Sequence, residues 1–234
     1  MLLVNLRREV LEANLDLVRR GLVLSTFGNA SGISREEGLI VIKPSGVPYE
    51  GMKPEYMVVT DLQGTLVEGE LRPSSDLPTH VALYRAFPSI GGIAHTHSEY
   101  ATAWAQAGNP IPCFGTTHAD YFHGPIPVTE SMGEDEIESA YEANTGAAII
   151  RTFENIDPMS IPGVIVANHG PFAWGTDPRN AAENAWMLET AARLAYFTIT
   201  INPHAKRIDD VLHNKHFLRK HGKNAYYGQK GNRE

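Results

Sequence analysis

The residues of this chain best suited to chemistry are two histidines separated by a single threonine. His95 and His97 end a short apolar run that begins after Gly91 and Gly92, and this pattern predicts a β-strand. Because side chains of a strand alternate between its faces, both imidazoles should point to the same side. Such a pair is half of a metal site, but on these residues alone an ordinary pair of core or surface histidines fits equally well.

A third histidine favours the metal site. His169 lies near the end of a second strand of the buried type, predicted over 162–170, and is followed by glycine. If the two strands are neighbours, three neutral imidazoles leave a fourth position open for substrate, which is typical of catalytic zinc. Zn²⁺ is the ion that these ligands suit best, although Mn²⁺, Co²⁺ and Fe²⁺ would also bind. Asp76 is a candidate for a fourth, oxygen ligand.

Two other stretches are candidates for binding an anion. Lys43 leaves a predicted strand into Pro-Ser-Gly, where one cation and several backbone N–H groups can surround a phosphate, although an ordinary turn is also consistent. Ser74, Ser75 and Asp76 precede a predicted helix, where they can cap its first turn or bind an anion with its free N–H groups.

The elements that must position these residues follow from periodicity and turn residues. Helices are predicted over 3–20, after Asp76, and over 99–107, 134–152 and 178–199, with strands over 39–43, 111–114 and 126–128 and a hairpin around 61–64. The loop 116–124 is rich in hydroxyl, imidazole and carboxylate groups, which predicts a functional loop. The basic and aromatic segment beginning at Val211 is expected to dock rather than fray.

Composition narrows the class of protein. With 234 residues and 42% hydrophobic content, the chain can bury the core of one large domain or of two small ones, and the lack of a linker-like stretch favours one. A net charge of −7, without a basic run before the C-terminal segment, argues against nucleic acid or an anionic membrane as the main partner. Cys113 is the only cysteine, which favours the cytoplasm, and no apolar stretch approaches the length of a membrane span.

Six motifs together closely resemble those of the class II aldolase/epimerase family, in register from the first helix to the last residues. They are KPSG at 43–46, PSSD at 73–76, GGIAHTH at 91–97, GTTHAD at 115–120, NHGPF at 168–172 and KHGKNAYYGQ at 220–229. The resemblance implies a single three-layer α/β/α domain over 1–234, with a central, mainly antiparallel nine-stranded sheet flanked by helices. It also implies a C4 homotetramer, with sites at the subunit interfaces where the segment 208–234 docks.

The TTHAD segment at 116–120 and the YYGQ segment at 226–229 resemble those of the epimerases, rather than the aldolases, of this family. They imply interconversion of L-ribulose 5-phosphate and D-xylulose 5-phosphate by retro-aldol cleavage of C3–C4, followed by re-addition to the rotated aldehyde. A metal held by His95, His97 and His169 with Asp76 would stabilise the enediolate as a Lewis acid.

The resemblance also implies roles for further residues. Asp120 and Tyr227 would transfer protons on the two faces of the aldehyde, reaching in from the neighbouring subunit. Without the resemblance, a loop cap for Asp120 and a packed terminal aromatic for Tyr227 would be the simpler interpretations. The implied phosphate ligands are Asn29, Lys43, Ser45, Gly46, Ser74 and Ser75, and second-subunit contacts would come from Thr116, His216 and Arg219.

Two other functions compete with the epimerase. A class II aldolase acting on fuculose or rhamnulose 1-phosphate would use a glutamate base where this chain has Asp76, which favours the epimerase. A non-catalytic, adducin-like interaction domain predicts loss of metal ligands, whereas all three histidines are present.

Overall fold

The strand that ends in His95 lies inside an antiparallel sheet of seven strands. The computed structural model describes residues 1–228; Gln229 of the C-terminal motif, and the rest of the segment 208–234 beyond it, lie outside these residues. The sheet order is β4-β3-β2-β1-β5-β7-β6. The strands are β1 (Asn29–Ser34), β2 (Leu39–Ile42), β3 (Val58–Asp61), β4 (Leu66–Glu68), β5 (Gly92–His95), β6 (Gly163–Val166) and β7 (Gly170–Gly175).

The prediction of nine strands is therefore wrong, as are the strands predicted over 111–114 and 126–128. These two segments form only isolated bridges, between Ile111 and Ile126 and between Val128 and Ile165. Prolines before and within both segments remove N–H donors, so a continuous ladder cannot form. The bridge to Ile165 places Val128 beside β6 at the sheet edge, where proline is tolerated.

The helices cover both faces of the sheet. They are α1 (Val4–Arg19), α2 (Leu77–Ala86), α3 (Glu99–Ala107), α4 (Thr116–Ala119), α5 (Glu134–Glu138), α6 (Tyr141–Thr152), α7 (Pro178–Ile201) and α8 (Asp210–His221), with a 3₁₀ turn at Pro54–Tyr56. Among the described residues, none of these helices combines the length and apolarity needed to cross a membrane.

One of the predicted helices is interrupted. The pattern over 134–152 divides into α5 and α6 because Ser139 and Ala140 leave the helical conformation. The Ser139 hydroxyl donates to the Asp135 carbonyl at 2.7 Å, and the Asn144 amide donates to the Glu136 carbonyl at 2.7 Å. The Asp135 carbonyl still accepts from the Ser139 N–H at 3.2 Å, but the Asn144 side chain takes the Glu136 carbonyl, which a continuous helix would use. As a result, Tyr141 begins a new helix.

Small and large residues separate the two faces of the sheet. Ala30, Ala94 and Ala173 lie side by side across β1, β5 and β7 and let α1 and α7 approach closely. On the other face, Ile93 and Trp174 belong to the larger core that includes residues of α2 and α6. The predicted order of helix, sheet and helix layers is thus present.

A carboxylate from α7 fixes the start of α3. Glu189 accepts hydrogen bonds from the backbone N–H groups of Tyr100 and Ala101, both at 2.8 Å. These are unpaired donors of the first helical turn, and a negative charge there is favourable. The turn that carries His97 precedes α3 directly, so this contact also holds that turn in place.

Candidate metal centre and phosphate pocket

Three histidines converge where β5 and the β6–β7 hairpin meet. One ligand atom from each of His95, His97 and His169 lies within 4.8 Å of the other two. The ring centroids are 4.8 to 5.0 Å apart. Among the described residues this is the one cluster of His, Cys, Asp and Glu side chains with the spacing of a metal site.

The local backbone differs from the predicted one. Only His95 belongs to a strand; His97 lies beyond the end of β5, and His169 lies in the turn between β6 and β7. Asn168 enables that turn by adopting φ of 60°, a left-handed conformation that asparagine tolerates. The prediction of three strand-borne histidines was therefore wrong, although the convergence of the rings was right.

The protonation of the histidines suits a divalent cation. The Nδ1 of His95 donates to the Pro171 carbonyl at 2.9 Å, which leaves the Nε2 lone pair free. Burial lowers the pKa of His95 and of His97, and lowers the pKa of His169 to about 4. All three rings are therefore neutral near pH 7, and neutral imidazole is the form that binds Zn²⁺, Mn²⁺ or Co²⁺.

Asp76 lies at the edge of this cluster and does not cap α2. It occupies the N-cap position, but its carboxylate accepts from the Asn29 amide at 2.6 Å and lies 4.0 Å from the Nε2 of His95. Burial alone would raise the pKa of Asp76, but His95, His80 and the Asn29 amide outweigh it and lower the pKa below its ordinary value. The interpretation of Asp76 as a helix cap is therefore wrong. Its ionised carboxylate is available as an oxygen ligand for a metal ion.

One pocket of about 390 Å³ contains every predicted metal and phosphate ligand. The four candidate metal ligands line it. So do the six predicted phosphate ligands, Asn29, Lys43, Ser45, Gly46, Ser74 and Ser75. Gly46 adopts φ of +66°, which shapes the Pro-Ser-Gly turn next to Lys43.

Lys43 is a buried cation with no carboxylate partner among the described residues. Its side chain is 1% exposed, and its Nζ donates to the Pro44 carbonyl at 3.2 Å and lies 4.6 Å from the centre of the Tyr49 ring. Burial lowers the pKa of the Lys43 ammonium to about 8. A buried, uncompensated charge is unfavourable, so an anion in the pocket would relieve this cost. This favours phosphate binding over an ordinary turn.

Lys43→Met is expected to raise KM for a phosphorylated substrate at least about 30-fold, because a buried charge pair with the phosphate is lost. In the native protein, KM should rise as the pH passes about 8, since the ammonium then loses its proton. Steady-state kinetics between pH 6.5 and 9.5 measure both effects. Lys53→Met, which replaces an exposed lysine outside the pocket, is the control and should leave KM unchanged.

Sequence patterns did not reveal two residues that line the same pocket, Tyr141 and Glu142. They reach it because α6 begins at Tyr141, after the break at Ser139 and Ala140. The Tyr141 hydroxyl lies 3.3 Å from the Nδ1 of His169. If His169 binds the ion through Nε2, its Nδ1–H can donate to this hydroxyl, as the His95 ring donates to the Pro171 carbonyl.

Tyr141→Phe is expected to weaken metal binding about 10- to 100-fold, because loss of the partner of a ligating histidine relaxes its orientation. Titration of metal-free protein with Co²⁺, followed by absorbance, measures this directly. Tyr196→Phe provides the control, since Tyr196 is exposed and lies outside the pocket. Equal affinity in the Tyr141 variant and the native protein would show that the hydroxyl does not orient His169.

The predicted proton-transfer residues form a second cluster, away from the lining of this pocket. Asp120 follows α4, whose first residue is Thr116, and binds residues of α8. Arg219 donates to its two oxygens at 3.1 and 2.7 Å, and the Nδ1 of His216 lies 3.0 Å from Oδ1. None of these residues, nor Tyr227, lines the 390 Å³ pocket of the same chain.

The contacts in this second cluster contradict the simpler interpretations of Asp120 as a loop cap and of Tyr227 as a packed aromatic. The Asp120 side chain binds another helix rather than capping its own loop. Burial alone would raise the pKa of Asp120, but the hydrogen bonds from Arg219 and His216 lower it below its ordinary value. Tyr227 is 60% exposed and lies over Arg219, with 4.7 Å from Cζ to the ring centre, so it is not a packed terminal aromatic. Helix α8 thus docks on the loop 116–124, with Phe217 buried.

Comparison with known proteins places this geometry in a family. The model of the class II aldolase and adducin N-terminal domain matches residues 8–196. The chain belongs to this family. The proteins named L-ribulose-5-phosphate 4-epimerase UlaF from Salmonella typhi and Salmonella paratyphi A are each 57% identical to it over 225 residues, covering 96% of this chain and 99% of the relative.

Solved structures of the family share the fold. The structure of an L-fuculose 1-phosphate aldolase superposes with a TM-score of 0.76 at 27% identity, covering 91% of this chain and 94% of that one. That of the L-fuculose-1-phosphate aldolase from Thermus thermophilus has a TM-score of 0.67 at 20% identity, covering 85% and 97%. The family resemblance inferred from the six motifs is confirmed.

Proposed function

We propose that this chain is a metal-dependent epimerase that interconverts L-ribulose 5-phosphate and D-xylulose 5-phosphate. The observation that carries the proposal is the shared pocket, in which an open cluster of three neutral histidines lies with a buried, unpaired Lys43. A ketose phosphate needs both features, a Lewis acid for its oxygens and a cation for its phosphate. The name of the relatives that are 57% identical supports this substrate.

The chemistry of the substrate determines the proposed reaction mechanism. The hydrogen on C4 is not acidic, so we propose cleavage of C3–C4, rotation of the released glycolaldehyde phosphate and re-addition. A Zn²⁺ ion, or Mn²⁺ or Co²⁺ in its place, would supply Lewis acidity to this reaction when bound. His95, His97 and His169 with Asp76 would hold this ion, and the phosphate would be held by Lys43 and its neighbouring hydroxyl and N–H donors.

Asp120 and Tyr227 are proposed as the two proton-transfer residues, acting on the pocket of a neighbouring subunit in a C4 homotetramer. Their shared contacts with Arg219 and Lys220, and their absence from the lining of their own chain's pocket, support this arrangement. Thr116, His216 and Arg219 would be contacts to the same neighbouring site. The proposal treats residues 1–234 as one domain, with the segment 208–234 at the subunit interface, and places the enzyme in the cytoplasm.

Incubation of the purified protein with L-ribulose 5-phosphate tests the activity. Formation of D-xylulose 5-phosphate, with only traces of glycolaldehyde phosphate, is expected. Glycolaldehyde phosphate without the epimer would instead identify an aldolase, a function for which the fold of L-fuculose 1-phosphate aldolase is also suited. No change in either sugar phosphate, with metal bound, would favour an adducin-like interaction domain.

A further inference from the structure

One lysine lies between the two proposed proton-transfer residues. The Nζ of Lys220 is 3.9 Å from Oδ2 of Asp120 and 4.7 Å from the centre of the Tyr227 ring. It also lies 4.3 Å from the centre of the Tyr121 ring. An ammonium group at these distances is attracted to the faces of both rings and to the carboxylate.

The contacts of Lys220 continue into the body of the protein. The hydroxyl of Tyr121 donates to Glu183 of α7 at 2.9 Å. Lys220 is therefore linked through Tyr121 to the long helix that packs on β5 and β7. Helix α8, which carries Lys220, packs on α4. Through Tyr121 and α7, Lys220 therefore connects α8 to the sheet.

Tyr227 has few other constraints. Its side chain is 60% exposed, and its backbone N–H donates to the Arg219 carbonyl at 3.1 Å. Arg219 and Lys220 are the cations found over its ring in the described part of the chain. Both cations therefore bridge the Asp120 carboxylate and the Tyr227 ring, and Lys220 is the one that also lies over the ring of Tyr121.

We propose that Lys220 is a positioning residue that holds Tyr227 and Asp120 in one fixed arrangement for proton transfer. The inference rests on the proposed function for its effect on turnover, but not for the contact itself. Lys220 does not line the metal pocket of its own chain, and its described contacts are with Asp120, Tyr121 and Tyr227.

Lys220→Met keeps the aliphatic stem and removes the charge. We expect kcat to fall about tenfold, with KM and metal content unchanged, and Lys220→Arg to restore most of the loss. In a Tyr227→Phe background the same substitution should cost much less, because residues that act together are not additive. Lys206→Met, which replaces an exposed lysine before α8, is the matched control.

A second measurement is independent of activity. With 3-fluorotyrosine placed at position 227, the ¹⁹F line should be narrower in Lys220→Met than in the native chain and in Lys206→Met, because the ring is released. Unchanged kcat together with an unchanged line would overturn the proposal. If the native protein does not act on L-ribulose 5-phosphate, the proposed function fails, and the ¹⁹F line alone decides whether Lys220 holds Tyr227.

Discussion

Replacement of His97 by asparagine is expected to remove bound metal and turnover together. The other two histidines cannot hold a divalent ion tightly at this site, since catalytic zinc sites use three protein ligands. Without the Lewis acid the enediolate has no stabilising charge, so kcat should fall at least about 10³-fold. Metal analysis of the purified variant, with an assay on L-ribulose 5-phosphate, measures both losses.

His204→Asn is the matched control for this variant. His204 is exposed, and its backbone N–H donates a hydrogen bond to the Asn202 side chain. Its replacement should leave metal content and turnover at native values. A His97 variant that epimerises at the native rate without metal would refute the metal site.

Asp120→Asn is expected to lower kcat about 10²- to 10⁴-fold, because the amide cannot accept the proton that a general base removes. Metal content should stay near the native value, since Asp120 is not part of the histidine cluster. Steady-state kinetics and metal analysis of the variant provide the check. An undiminished kcat would remove Asp120 from the mechanism.

Mixed oligomers then test where Asp120 acts. If each site takes its metal ligands from one subunit and Asp120 from the next around a ring, an equal mixture of Asp120→Asn and His97→Asn chains should recover roughly a quarter of native activity. The recovery arises at sites that take their metal ligands from an Asp120→Asn chain and their Asp120 from a His97→Asn chain. Unfolding and refolding the two variants together allows the exchange, and no recovery would argue against shared sites.

Local sequence patterns were sufficient for most of the helices. The helix predicted over 99–107 coincides with α3, because Glu99 begins its first turn and Gly108, at φ of 64°, ends its last. The same patterns failed over 134–152, where the backbone leaves the helical conformation at Ser139 and Ala140 and the Asn144 side chain takes the Glu136 carbonyl. Such local bonds compete with the backbone and leave no periodic signature.

The site was predicted less by pattern than by resemblance. Alternation along a strand correctly paired His95 with His97, but for the wrong reason, since His97 lies beyond β5. Asn29 begins β1, Lys43 follows β2 and Ser74 precedes α2, and only the family resemblance grouped them before the fold was known. Neither the sequence patterns nor the family resemblance predicted Tyr141. Its place in the pocket depends on the break before α6, which neither of them indicates.

The position of His169 in the β6–β7 turn has a consequence for the stability of the protein. β6 is the outermost strand on its side of the sheet, and an ion bound by His95, His97 and His169 would fasten this hairpin to β5 inside the sheet. Metal that binds only the folded chain also adds to its stability. Chelation should therefore loosen an edge hairpin, and exposed strand edges promote aggregation. Storage in a chelating buffer would then cost the protein its solubility as well as its turnover.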